Sequence, residues 1–233
     1  MIELRIDAKG KRVMHNGNIL SILVLLFLAS CQGTPFSGLF SSQTTQTSAV
    51  QGVLFMDDFS NTNSGWDRQR TTDGITDYEN DHYLIQVDRP NFDFFANLSK
   101  SFTDVRVEVE AYRESGEEDN DYGVICRYQG TNDFYAGLIS SDGYYGIFKV
   151  KGGDYSILGM DAMAKSPAIK PDLEINLLRM DCKGPDLTLY VNGIQLDMRQ
   201  DADFTSGDVG LMAGTYRKPG LKVIFDNFIV MQP

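Results

Sequence analysis

From about Val53 to its end, the chain predicts an all-β fold, a sandwich or jelly roll of roughly a dozen strands. Three observations carry this. Segments of two-residue alternation recur, Gly, Asp and Asn punctuate them, and no amphipathic segment of helical period exceeds two turns. "VRVEVEAY" (105–112) places Val105, Val107, Val109 and Ala111 on one face and Arg106, Glu108, Glu110 and Tyr112 on the other. "YGVICRY" (122–128), "FYAGLIS" (134–140) and "YYGIFKV" (144–150) follow, the last two joined through Ser141-Asp142-Gly143. "LTLYVNGIQLD" (187–197) reads as a hairpin, because Asn192-Gly193 supplies the two positive φ angles of a type I′ turn. Further strands are expected at 82–87, 92–97, 174–182, 208–213 and 221–231. No internal repeat is visible.

The N-terminal region is of another kind. Ile19 to Ala29, "ILSILVLLFLA", is an oily run interrupted only by Ser21. It is too short for a bilayer span, which needs about 20 residues. With Lys9, Lys11 and Arg12 before it, the run fits the apolar region of a secretory signal. Leu28-Ala29-Ser30-Cys31 then resembles a bacterial lipobox: an aliphatic residue, two small ones and a cysteine. The resemblance implies that residues 1–30 are removed and that the Cys31 thiol carries diacylglycerol. Gln32, rather than Asp, follows the cysteine, and the family's sorting rule then implies the outer membrane of a double-membraned cell. Residues 31–51, rich in Ser, Thr, Gln and Gly and without charge, read as a flexible tether, and 52–233 as the folded domain.

Charge narrows the partners. The chain has 233 residues and a net charge of −11; without residues 1–30 it has 17 basic and 30 acidic side chains, a net of −13. Such a body repels phosphate, which excludes nucleic acid and leaves the lipid as the sole membrane contact.

The motifs "LFMDDFS…SGW", "LTLYVNG", "SGDVGLMAG" and the closing "VIFDNFIV" occur in an order that resembles concanavalin A-like lectin/glucanase domains. That superfamily includes laminin G-like modules and family 16 glycoside hydrolases. The resemblance implies a jelly roll of two curved antiparallel sheets with the first and last strands paired. It leaves function open, since the fold hosts enzymes, lectins and adhesive modules.

The chemistry-bearing patterns are sparse. Family 16 hydrolases carry Glu-x-Asp-x-x-Glu, or one residue fewer, on one strand; this sequence offers only Glu108-x-Glu110, which reads as a solvated strand face. His82 is the one histidine left once the signal is removed, so a His-rich zinc site and a Ser-His-Asp triad are both disfavoured. The acidic loop "ESGEEDNDYG" (114–123) lacks EF-hand spacing and reads as solvated. Export places Cys126 and Cys182 in an oxidising space; with Cys31 acylated they form an even pair, each beside apolar neighbours, and a disulfide is expected. Asp226 in "FDNF" resembles the last-strand aspartate that holds a structural calcium in family 16 domains; hydrogen bonding to the first strand is the alternative.

For ligand binding, alternation offers Arg106, Tyr112, Arg127, Tyr135, Tyr145 and Lys149 as residents of one open face. Aromatic rings stack on the apolar faces of sugars while charged groups bond the hydroxyls. Tyr112, Arg127, Tyr135 and Tyr145 are the expected contacts, with half-buried packing as the alternative. The reading is a lipid-anchored envelope protein with a non-catalytic glycan- or surface-polymer-binding module. A glycoside hydrolase or keto-sugar-processing enzyme, and an adhesive protein-contact module, are the alternatives. Carboxylates lining a concave groove would favour the enzyme; a groove filled with side chains would favour adhesion.

Overall fold

The computed structural model describes residues 52–171 and 173–233, together with a short antiparallel pair, β1 (Arg5–Ile6) and β2 (Arg12–Val13). That pair apart, the expected signal segment (1–30), Cys31 and the expected tether (31–51) lie outside the described residues. The body is all-β and consists of two antiparallel sheets, as the alternation predicts.

The nine-stranded sheet runs β16 (Ile194–Gln200), β15 (Asp186–Val191), β14 (Asn176–Lys183), β8 (Val105–Ser115), β18 (Leu221–Met231), β6 (His82–Val87), β5 (Gly74–Glu79) and β4 (Gln69–Arg70). The first strand of the body, β3 (Val53–Asp57), also pairs with β18, the last, with Phe228 opposite Asp57. The seven-stranded sheet runs β12 (Asp154–Ile157), β11 (Tyr144–Lys151), β10 (Asp133–Ser140), β9 (Asp121–Gly130), β17 (Asp208–Thr215) and β7 (Phe92–Asn97), with β13 (Ala164–Lys165) on β11. The hairpin of β15 and β16 turns at Asn192 and Gly193, both at positive φ. β4, β5, β12 and β13 were not expected. β5, "GITDYE", holds Gly and Asp, which strands disfavour; it forms because Asp77 is neutralised by Arg68 (2.6 Å) and Arg70 (2.9 Å).

The core lies between the sheets. β8 turns Val105, Val107, Val109 and Ala111 inward, each fully or almost fully buried, against Val124, Leu211 and Ala213 of the other sheet. Trp66 belongs to it, packing edge-on to Phe228 (centroids 4.7 Å) with its Nε1 donating to Asp57 (3.0 Å). The expected disulfide is present: Cys126 of β9 and Cys182 of β14 clamp one sheet to the other across 56 residues of chain. Closing a loop of that length stabilises the fold by about 4 kcal/mol in the chain-entropy model.

Candidate functional site

The expected ligand face does not assemble. Arg127 sits at a β-bulge with φ 52°, where the registers of β9 with β10 and with β17 both shift. The extra residue breaks the alternation that placed Arg127 outward. Its guanidinium is 1% exposed and donates to the carbonyls of Phe204 (2.9 Å) and Thr103 (3.3 Å), so it ties loops together inside the protein. Tyr135 lies opposite Cys126 and therefore faces the core, fully buried. Its hydroxyl donates to Asp201 (2.5 Å) and accepts from the Phe204 amide (3.1 Å). Burial, reinforced by Asp201, pushes that phenol up to about 12. Tyr145, opposite Ile139, packs against the same core. Lys149 is held by Asp201 (2.5 Å) and Asp203 (2.9 Å). Of the four contacts, only Tyr112 faces outward, on the other sheet; the correction follows from the bulge and from which parity of β10 and β11 points inward.

Tyr112 lies on the outward face of the nine-stranded sheet, where Asp226 and Glu110 are opposite one another. Burial raises the Tyr112 pKa, helped by the charges of Glu114 and Asp226. Asp226 Oδ1 accepts the Asn227 amide (2.8 Å), Oδ2 lies 3.7 Å from His82 Nε2, and Glu110 accepts from Asn227 Nδ2 (2.8 Å). Among the described residues no group of three or more His, Cys, Asp or Glu is placed for a metal, so a calcium at Asp226 would depend on backbone carbonyls. Further along the same face the charges are mutually paired. Arg106 and Arg179 both bond Asp181 (3.0 and 2.5 Å), Glu108 stands 3.8 Å from Arg179, and Arg179 lies over the Tyr190 ring at 4.2 Å. Asp181 is held below its usual range: burial would raise it, and the two arginines outweigh burial. Glu108 and Glu110 are thus occupied by neighbours rather than poised as a catalytic pair. The acidic loop borders an open cavity of about 410 Å³ with Arg113 and Asp142, and its Glu117 and Asp119 are paired with Lys218 and Arg217.

The outward face of the seven-stranded sheet is different. Ile125, Phe134, Ala136, Leu138, Val150 and Met212 form a second apolar cluster there, each at most 1% exposed. Phe95 of β7 meets Phe134 of β10 at 5.4 Å although β17 and β9 run between them, a separation of about 14 Å in a flat sheet. The face therefore curves inward. Around the cluster Phe95, Tyr128 and Phe148 are partly buried, and Tyr155 of β12, 49% exposed, packs edge-on to Phe134 at 6.4 Å.

Two carboxyls close one end of this concave face. Asp93 of β7 and Asp121 of β9 both lie opposite Gly214 of β17. A Cβ added at Gly214 would lie 2.2 Å from Asp93 Oδ1 and 2.7 Å from Asp121 Oδ1. The oxygens are therefore within about 5 Å, where two full charges repel by about 3 kcal/mol at an effective dielectric of about 20. Burial and the Asp93 charge raise Asp121 to about 8, and its Oδ1 is shut off from solvent without a hydrogen-bond partner. Burial also raises Asp93, against the Tyr155 hydroxyl, which bonds it. Sequence reasoning missed this site because its parts come from four strands. A local signal existed: "FDFFAN" puts Asp93 and Phe95 on the face opposite Phe94 and Ala96, so both sides of β7 carry aromatic rings.

A search against protein-family models finds no match, and a search of curated proteins finds none. Solved structures do resemble the fold. A carbohydrate-binding module, CBM66, from Bacillus subtilis aligns with TM-score 0.59 and 18% identity over 72% of this chain and 96% of its own. A Bacillus subtilis protein of unknown function with a galectin-like fold aligns with TM-score 0.58 and 12% identity over 78% and 96%. The catalytic domain of an endo-1,3-β-glucanase from Thermotoga petrophila RKU-1 aligns with TM-score 0.54 and 10% identity over 77% and 97%. At these identities the likeness establishes the jelly-roll sandwich.

Proposed function

We propose that this protein is a glycan-binding module without catalysis, held at the bacterial envelope by a lipid on Cys31, and that the concave face of the seven-stranded sheet is its binding surface. One observation carries the reading: four partly exposed rings, Phe95, Tyr128, Phe148 and Tyr155, surround an inward-curving face that ends in two carboxyls. Rings of this kind stack on sugar faces and carboxyls bond hydroxyls. The fold shared with a carbohydrate-binding module supports the same reading.

Catalysis would require an ionised nucleophile open to the sugar and a second carboxyl on the leaving oxygen. Burial holds both Asp93 and Asp121 toward the neutral form, and Asp121 Oδ1 is closed to solvent. A hydrolase remains the second reading, favoured by the presence of two carboxyls side by side at one end of the concave face, since glycoside cleavage uses such a pair.

The test is binding to a panel of neutral polysaccharides that includes a β-1,3-glucan. Tyr155→Ala is expected to weaken binding at least about fivefold, which is the loss of one stacking contact of about 1 kcal/mol. Tyr112→Ala is expected to leave binding unchanged. Release of reducing sugar, abolished in Asp93→Asn and Asp121→Asn, would replace binding with hydrolysis. For the anchor, Cys31→Ser is expected to move the protein from the detergent phase to the aqueous phase; retention in the detergent phase would refute lipidation.

A further inference from the structure

The carboxyl pair has a consequence of its own, whether or not a glycan binds. Taken strand by strand, the described residues around it hold no cation paired with it. β7 contributes Asp93, β9 contributes Asp121, and β17 contributes only Gly214 between them. β10 places Ser140 opposite Asp121, but the Ser140 hydroxyl donates to Asp142 (2.5 Å). β12 contributes the Tyr155 hydroxyl, which bonds Asp93. Asp119, in the loop before β9, is bonded through Oδ2 to Arg217 (2.9 Å). Burial and Asp93 raise Asp121, burial raises Asp93 against Tyr155, and among the described residues no lysine or arginine is paired with either.

We propose that Asp93 and Asp121 form a proton-operated latch: carrying one proton between them they leave β7 seated on β17, and on losing it they push β7 away. With one proton between them, the pair carries a single negative charge. When that proton leaves to solvent, two acceptors face each other over a glycine, in a place where water does not reach Asp121 Oδ1. The repulsion is relieved where the sheet is weakest. β9 is held on both sides, by β10 and β17, whereas β7 is the terminal strand of its sheet and pairs there with β17 alone. The Tyr155 hydroxyl favours ionised Asp93 and so stays bonded to it.

The experiment follows the full chain by carboxyl carbon NMR and by amide hydrogen exchange at Phe92–Asn97, corrected for base catalysis of exchange. One of the two carboxyls is expected to keep its proton past pH 7. Protection of the β7 amides is expected to fall at least about tenfold between pH 6 and pH 9.5 in the native chain, and less than about twofold in Asp121→Asn. Two carboxyls already ionised at pH 6, or an equal loss of protection in the variant, would overturn the latch. Should Asp121→Asn fail to fold, Asp93→Asn serves: removing the neighbouring charge is expected to move the Asp121 titration to lower pH, and an unmoved titration would overturn the proposal.

Discussion

On the outward face of the nine-stranded sheet, Arg106, Asp181, Arg179 and Glu108 neutralise one another, and Tyr190 lies beneath Arg179. On the outward face of the seven-stranded sheet, apolar side chains fill the floor and two carboxyls face each other with no cation between them. The sequence shows the origin of the difference. "VRVEVEAY" alternates apolar with charged, as a strand does when one side meets water. "YGVIC" and "FYAGLI" are apolar at consecutive positions, as strands are when both sides are covered. A face whose charges are mutually satisfied gains little from a ligand. A curved apolar face with exposed rings and un-neutralised carboxyls has interactions left to make.

The largest effect that separates the two faces is on stability. Phe134→Ala on the concave floor is expected to cost about 3–5 kcal/mol, because it leaves a cavity in a fully buried cluster. Arg179→Ala, on the paired face, is expected to cost about 1 kcal/mol or less, since partly exposed ion pairs contribute little. Urea unfolding of the two variants measures both; equal losses would break the comparison.

A somewhat smaller effect is expected from Gly214→Ala, about 1–3 kcal/mol, since the methyl would drive into Asp93 Oδ1 and Asp121 Oδ1. Unchanged stability would mean that the carboxyls are not fixed where they stand.

The pH profile sharpens the comparison further. Asp121 is raised in the folded state from the ordinary 3.8 to about 8, so between those values the folded chain holds a proton that the unfolded chain has released. Its favourable contribution is complete below pH 3.8 and is lost as pH rises to about 8, at a slope of up to about 1.4 kcal/mol per pH unit. Asp181, lowered by its arginines, acts in the opposite sense: its contribution is present above the ordinary value and lost as pH falls through its folded value. Chemical denaturation across pH 4–8 is expected to show a flatter curve for Asp121→Asn than for the native chain. A parallel pair of curves would count against the buried carboxyl.

The smallest effect concerns Asp226. If a calcium is held there through backbone carbonyls, chelator lowers the melting temperature of the native chain and not of Asp226→Asn; identical curves leave Asp226 to its protein contacts, the Asn227 amide and His82 among them.

Much of the architecture is legible in the sequence. The strands at 82–87, 92–97 and 221–231 fall where the sequence predicts them, the Asn192-Gly193 turn follows from local chemistry, and the Cys126–Cys182 bridge is the one expected from the even cysteine count left once Cys31 is set aside. The candidate site was not. Alternation cannot foresee the bulge at Arg127, which turned a presumed ligand contact into an interior tie. Nor can it bring together Asp93, Asp121, Gly214 and Tyr155, whose proximity depends on strand order and on the inward curve of the sheet.

The central claim is that the concave face is the binding surface, and amide chemical-shift mapping during titration with a bound polysaccharide fragment tests it most directly. Perturbations are expected to cluster at Asp93, Phe95, Tyr128, Phe148 and Tyr155, with Arg106, Tyr112 and Arg179 unmoved. Perturbations confined to Arg106, Tyr112, Arg179 and Tyr190, with Tyr155 silent, would contradict it.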